Sequence, residues 1–283
     1  MRGVCLKARK KGERVVLVPT MGGLHRGHTE LIKRARALGE LLIVSVFVNP
    51  TQFGSNEDLS TYPSDLTGDT EKAREAGADI IFHPAASALY PNGFQSFVEV
   101  GGTSGLSSNL CGLTRPGHFK GVATIVTKLF NIITPDTALF GLKDFQQYTI
   151  IKRLVRELDM GIDIVGVETV RDPDGLALSS RNAYLTPSER EAAGVVPASI
   201  KAASELFDKG VRKSAEIIEE IKKNIEKEPQ AVIDYVLVCD PETLEDIEDI
   251  DGGALVAVAI KIGKARLIDN VLLGKGAAGL SKL

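Results

Sequence analysis

The chain has 283 residues, 43% of them apolar and 25% charged, enough for one large globular domain and a smaller one. Lys and Arg number 34 against 37 Asp and Glu, a formal charge of −3, which excludes a basic nucleic-acid or anionic-membrane surface as the main business. Three scattered cysteines with no CxxC pair exclude a disulfide framework and a zinc site; with no signal-peptide stretch and no apolar run of about 18 residues, a cytoplasmic protein is expected.

Arg14–Val18 is a short β-branched run that predicts a buried strand, and 41–48, 80–82 and 162–167 read the same way. Amphipathic stretches at roughly 27–38, 66–76, 119–133 and 144–158 predict helices between them. Near-continuous β-branched strands separated by helices predict a Rossmann-like, doubly wound α/β parallel sheet covered on both faces. Arg171-Asp-Pro-Asp-Gly175 breaks that pattern with turn residues. Thr186-Pro187 predicts an N-cap with Pro at N1 opening a long helix, and a second, charged helix is expected over about 213–226. Strand-like runs at 232–239, 254–261 and 265–269 then predict a smaller α+β domain with an antiparallel sheet. The expected organisation is a Rossmann-like ligand-binding domain at 1–172 and a small C-terminal domain at 173–283.

Four segments bear the chemistry. The first, Val18-Pro-Thr-Met-Gly-Gly-Leu-His-Arg-Gly-His28, joins the first strand to the first helix, at the carboxyl end of the sheet where ligands of open α/β folds bind. Gly22, Gly23 and Gly27 permit tight turns, and the helix start at 27–29 offers N–H groups and a positive dipole end to phosphates. The string is neither GxGxxG nor a Walker A loop. His25 and His28, two of four histidines, stand at i, i+3. They act either as a helix cap and a surface residue, or as donors to a phosphate chain that stabilise charge on a pentacoordinate phosphorus. No further ligands at metal spacing accompany them.

The second segment, Phe47-Val-Asn-Pro-Thr-Gln-Phe53, puts Asn49 and Gln52 where they bind hydroxyls or a carboxylate, or simply make a turn. In the third, Gly141 follows a short apolar strand, Lys143 and Asp144 open a helix, and Gln146-Gln147 lie one turn in. Lys143 there can neutralise phosphate charge and Asp144 can stabilise the helix start, or both are surface residues. The fourth, Val170 to Asn182, supplies Ser179, Ser180 and Arg181 beside a glycine-containing hinge. A loop closing over a triphosphate needs that set, although a polar interdomain linker reads similarly.

HxGH after the first strand, with a serine-rich basic loop after a later one, resembles the nucleotidylyltransferase superfamily, which includes the class I aminoacyl-tRNA synthetases. Five ordered strings are more specific: Pro19-Thr-Met-Gly-Gly-Leu-His-Arg-Gly-His28, Val48-Asn-Pro-Thr-Gln-Phe53, Arg115-Pro-Gly-His-Phe-Lys-Gly-Val122, Phe140-Gly-Leu-Lys-Asp-Phe-Gln-Gln147 and Leu178-Ser-Ser-Arg-Asn-Ala-Tyr-Leu185. Together they resemble the pantothenate synthetase family over about residues 14 to 283, including Cys239-Asp-Pro-Glu-Thr-Leu244 and Ala265-Arg-Leu-Ile-Asp-Asn270.

The resemblance implies a reaction in which ATP activates pantoate as its adenylate and β-alanine displaces AMP. It also implies Mg²⁺ and a homodimer, while the charge balance already argues against a nucleic-acid or membrane partner. By position, it implies that Met21, Gly22, Gly23, Leu24, His25, Arg26, Gly27 and His28 hold ATP. His28 is then the leading catalytic residue, with His25 and Lys143 beside it in that role. Gly141, Leu142, Lys143, Asp144 and Val170 hold the nucleotide, while Leu178, Ser179, Ser180 and Arg181 close over its phosphates, making the C-terminal domain a lid. Gln52 and Gln147 bind pantoate, and the metal ligands stay unknown. Two departures stand out: Leu142 replaces a frequent Glu or Gln, and the stretch before Arg14 looks shortened, with the loss of a helix ahead of the first strand. The alternative is a nucleotidylyltransferase such as a phosphopantetheine or nicotinamide-mononucleotide adenylyltransferase.

Overall fold

The structure is a computed structural model and describes residues 1–55, 57–102 and 105–274. Its first element is a helix, α1 (Arg2–Lys10), where none was expected ahead of the first strand. The segment is rich in charge and α1 buries only Cys5 and Ala8, so its apolar stripe is too faint to register as a period. There follow β1 (Val15–Thr20), α2 (Arg26–Arg36), β2 (Leu41–Val46), α3 (Leu66–Glu75), β3 (Ile80–Phe82), α4 (Ala86–Leu89) and α5 (Cys111–Thr114). Next come α6 (His118–Ile133), β4 (Thr137–Gly141), α7 (Phe145–Glu157) and β5 (Asp163–Val167). Met1–Leu142 and Gln147–Glu168 make the first of two compact units.

The sheet of this unit is wholly parallel, in the order β3-β2-β1-β4-β5. Val15 to Val18 are all buried, which requires cover on both faces, because alternate strand side chains point opposite ways. On one face Val16, Val18, Leu42, Val44 and Leu139 pack against Ile32 and Ala35 of α2 and Ala73 of α3. The strand order reverses between β1 and β4, and the crevice at such a switch point is where open α/β sheets bind ligands. The loop after β1 and the end of β4 at Gly141 open onto it.

Lys143–Gln146 and Thr169–Leu283, described as far as Gly274, make the second unit. It holds α8 (Pro187–Ala192), α9 (Val195–Asp208), α10 (Ser214–Ile225), β6 (Ala231–Cys239), β7 (Gly253–Ile262) and β8 (Ala265–Gly274). The long helix expected after Thr186 is two helices. Thr186 and Glu189 form a capping box with Pro187 at N1, but Pro197 in the first turn of α9 lacks an N–H and crowds the preceding turn, so the helix must restart. The sheet is antiparallel, β6-β7-β8, and its Val236, Val256, Val258 and Leu267 share a core with Ile200 and Ala203 of α9 and Ile217 and Ile221 of α10.

Candidate active site

The two histidines of the first loop are half-buried and begin α2 as a reciprocal cap. Nδ1 of His25 accepts from the Gly27 N–H at 3.1 Å, and Nδ1 of His28 accepts from the His25 N–H at 3.3 Å. The rings lie 4.1 Å apart, centroid to centroid. A nitrogen that accepts from a backbone N–H carries no proton, so in each neutral ring the proton sits on Nε2. Capping and phosphate donation, set against each other in the sequence, are thus compatible: one edge of each imidazole holds the helix while the other presents an N–H donor.

The loop before them is held from behind by α3. Asp69, 1% exposed, accepts from the N–H of Gly23 at 2.8 Å and of Leu24 at 2.6 Å. Lys72, one turn on, donates to the Leu24 carbonyl at 2.9 Å. Gly22 has φ +90°, and a Cβ there would stand 2.9 Å from the Asp69 carboxylate, so the turn needs glycine on both counts. Sequence reading missed Asp69 and Lys72. The only signal was an acidic residue on the inward side of an amphipathic helix.

Gln52, in the one-turn 3-10 helix after β2, is buried. Its Oε1 accepts from Asn49 Nδ2 at 2.9 Å, which fixes the orientation of its amide and turns Nε2 toward Met21 Sδ at 3.1 Å. A thioether is a weak acceptor, so this buried N–H donor has more to gain from a ligand oxygen than from its present neighbour. The structure therefore brings the candidate pantoate residue Gln52 against Met21 of the first loop. Asn49, which the sequence left open between a ligand contact and a plain turn residue, has both donors and both acceptor positions used: it donates to Gln52 and to the Gly121 carbonyl, and accepts from Thr51 Oγ1 and Tyr90 Oη. Its place is to orient Gln52. Gly121 lets α6 approach this turn closely, since a Cβ there would lie 2.3 Å from the Thr51 carbonyl oxygen.

The string Arg115–Val122 supports the same turn. Arg115 forms two hydrogen bonds to Glu57, at 2.8 and 2.5 Å, and its Nη1 donates to His118 Nε2 at 3.0 Å. An arginine only donates, so His118 carries its proton on Nδ1 and gives it to the Gln52 carbonyl at 2.8 Å. Burial raises the Glu57 pKa, but the hydrogen bond and charge of Arg115 outweigh it and hold the carboxyl below its ordinary value. Gln147 lies half-buried in the first turn of α7.

In the second unit, Lys143 lies in a single 3-10 turn, Leu142–Asp144, between β4 and α7. Val170 accepts from the Leu178 N–H at 3.0 Å, which closes a tight turn around Gly175 (φ +91°). That turn delivers Ser179, Ser180 and Arg181. Ser179 caps the short helix Ser180–Tyr184 by accepting from the Arg181 N–H at 3.3 Å.

Fold and site together define an α/β enzyme of the HxGH type, one that handles a nucleotide at the carboxyl ends of a parallel sheet. A model of the family described as pantoate-beta-alanine ligase matches residues 1–272. Pantothenate synthetases of Desulfatibacillum aliphaticivorans and Geobacter sulfurreducens are 51% and 50% identical, over 94% and 97% of this chain and 93% and 96% of theirs. The crystal structure of pantothenate synthetase from Thermus thermophilus superposes with a TM-score of 0.89 at 43% identity, covering 94% of this chain and 96% of that one. That of the Francisella tularensis pantoate-beta-alanine ligase, complexed with beta-gamma ATP and beta-alanine, gives 0.75 at 34% identity, over 93% and 90%. The chain belongs to the pantoate–β-alanine ligase family and is an ATP-dependent ligase. This sets aside the adenylyltransferase alternative.

Proposed function

We propose that the protein condenses pantoate with β-alanine to give pantothenate, through a pantoyl-adenylate intermediate. A pantoate carboxylate oxygen attacks the α-phosphorus of ATP, the bond to the bridging oxygen breaks, and pyrophosphate leaves with its electron pair. The β-alanine amine then attacks the acyl carbon and loses a proton, and AMP departs. A free carboxylate is a poor acylating agent and an acyl adenylate a good one, so the protein's task is positioning and charge stabilisation.

The observation that carries this reading is the imidazole pair whose Nδ1 atoms cap α2, leaving Nε2–H as the donor edge of both His25 and His28. In this assignment Met21 to His28, Gly141 to Asp144 and Val170 hold ATP, and His28, His25 and Lys143 stabilise charge on the reacting phosphates. Ser179, Ser180 and Arg181, following Leu178, bind the phosphate chain, and Gln52 and Gln147 hold pantoate. Mg²⁺ enters as part of the ATP substrate. That ion is usually held by phosphates, waters and one or two carboxylates, and among the described residues no group of three or more His, Cys, Asp or Glu forms a cage for it. The assignment is completed by a homodimer in the cytoplasm.

Pyrophosphate exchange tests it. Labelled pyrophosphate should enter ATP when pantoate and Mg²⁺ are present and β-alanine is absent, and adding β-alanine should release AMP in step with pantothenate. Exchange that ignores pantoate, or ADP as the nucleotide product, would overturn the reading.

A further inference from the structure

Strand β8 carries Asp269 and Asn270, residues to which the reaction above gives no part. Successive strand side chains point to opposite faces, so the two act on different neighbours. Asp269 is 2% exposed and accepts from Arg171 Nη1 at 2.5 Å, from Arg171 Nη2 at 2.8 Å and from the Asn270 N–H at 2.8 Å. Arg171 Nη1 also donates to the Gly175 carbonyl at 2.9 Å. The carboxylate thereby fastens β8 to the turn that delivers Ser179–Arg181.

Asn270 reaches the other way, its Nδ2 donating to the main-chain carbonyl of Lys143 at 2.9 Å. Both residues belong to the second unit. The turn leads straight into α7 at Phe145, so a donor to the Lys143 carbonyl helps to fix the main chain just ahead of that helix. Where the Lys143 main chain is fixed, the reach of its ammonium group is narrowed.

We propose that Asn270 is a positioning residue for Lys143. Anchored through Asp269, it keeps one strand in register with both groups assigned to the phosphates, Lys143 and the Ser179–Arg181 segment. The proposal rests on the reading of Lys143 as a phosphate-neutralising group. Asn270 touches no substrate in this scheme and acts only through Lys143.

A double-mutant cycle on the full chain tests it, read by pantoate-dependent ATP–pyrophosphate exchange. Asn270→Ala should lower kcat about 5–10-fold, the kinetic equivalent of one hydrogen bond, with the pantoate KM within about twofold of wild type. In a Lys143→Ala background the same substitution should cost less than about twofold, because the residue it positions is gone. Asn270→Asp, nearly isosteric but without the donor, should match the alanine variant and keeps the test open if that variant fails to fold. Equal losses in both backgrounds, or wild-type turnover in either Asn270 variant, would overturn the proposal alone. Absence of exchange in the wild type would overturn the reaction and this proposal with it.

Discussion

His25 and His28 accept backbone N–H bonds through Nδ1, so replacing either disturbs a helix start as well as a donor. His28→Ala should slow adenylate formation about 10²–10³-fold and cost about 1 kcal/mol of stability, the sum of a lost charge-stabilising donor and a lost cap. His28→Asn separates the two effects. Its amide oxygen can take the place of Nδ1 while nothing stands at Nε2, so wild-type melting with the full loss of exchange is expected. Wild-type exchange in that variant would remove Nε2 of His28 from the chemistry. Gln52→Ala should raise the pantoate KM with less effect on kcat, by the equivalent of about 1–3 kcal/mol for a buried amide that loses a polar substrate. The Glu57–Arg115 pair adds a pH dependence. With the carboxyl held below its ordinary value of 4.5, the pair's stabilisation is complete above that value and is lost as pH falls through the lower folded-state value. Glu57→Gln should therefore flatten the acid limb of the melting profile, and an unchanged limb would show that the pair contributes nothing there.

α3 shows how a side chain on one element can decide the shape of a loop on another, through Asp69 and the N–H groups of Gly23 and Leu24. Asp69→Asn keeps one acceptor but turns an NH₂ group toward a backbone N–H. A loss of about 1–3 kcal/mol in melting studies, with weaker ATP use and little change in pantoate KM, is the expected outcome. Equal damage to both substrates would mean that Asp69 supports the unit rather than the loop. This contact also marks the limit of what the sequence discloses. Strands β1, β2, β3 and β5 were legible because each is a compact β-branched run, and so was the doubly wound sheet they imply. Asp69 was not, since its partner Leu24 is 45 positions away and nothing local distinguishes it from a solvated carboxylate. α1 escaped notice because it buries two small residues, and the α8–α9 break because Pro197 lies past a strong start signal at Thr186. The two readings of Asn49, turn or ligand contact, stayed open for a similar reason: an amide beside a strand end looks the same whether it meets a ligand or another side chain.

Across the whole molecule the motifs are shared between the two units. Met21–His28, Gln52 and Gln147 belong to the first; Lys143, Val170 and Ser179–Arg181 belong to the second. No helix among the described residues is long and apolar enough to cross a membrane. The three cysteines are buried and in no disulfide among the described residues, and burial pushes the Cys239 thiol up to about 12. A thiol reagent at neutral pH should therefore label none of them quickly in the native protein and all three after denaturation. Rapid labelling of Cys239 in the folded state would contradict its buried place at the end of β6, paired with Leu255 of β7.

The Asn270–Lys143 hydrogen bond spans 127 positions of sequence, and this has a consequence in time. During synthesis at about 5–20 residues per second, roughly 6–25 s separate the emergence of the lysine from that of the asparagine that fastens it. Through that interval a nascent chain can already fold its first loop and its parallel sheet, yet the lysine's turn lacks its anchor. On the proposed assignment the sheet and the first loop thus come before the fixing of Lys143, and β8, the last strand among the described residues, supplies it.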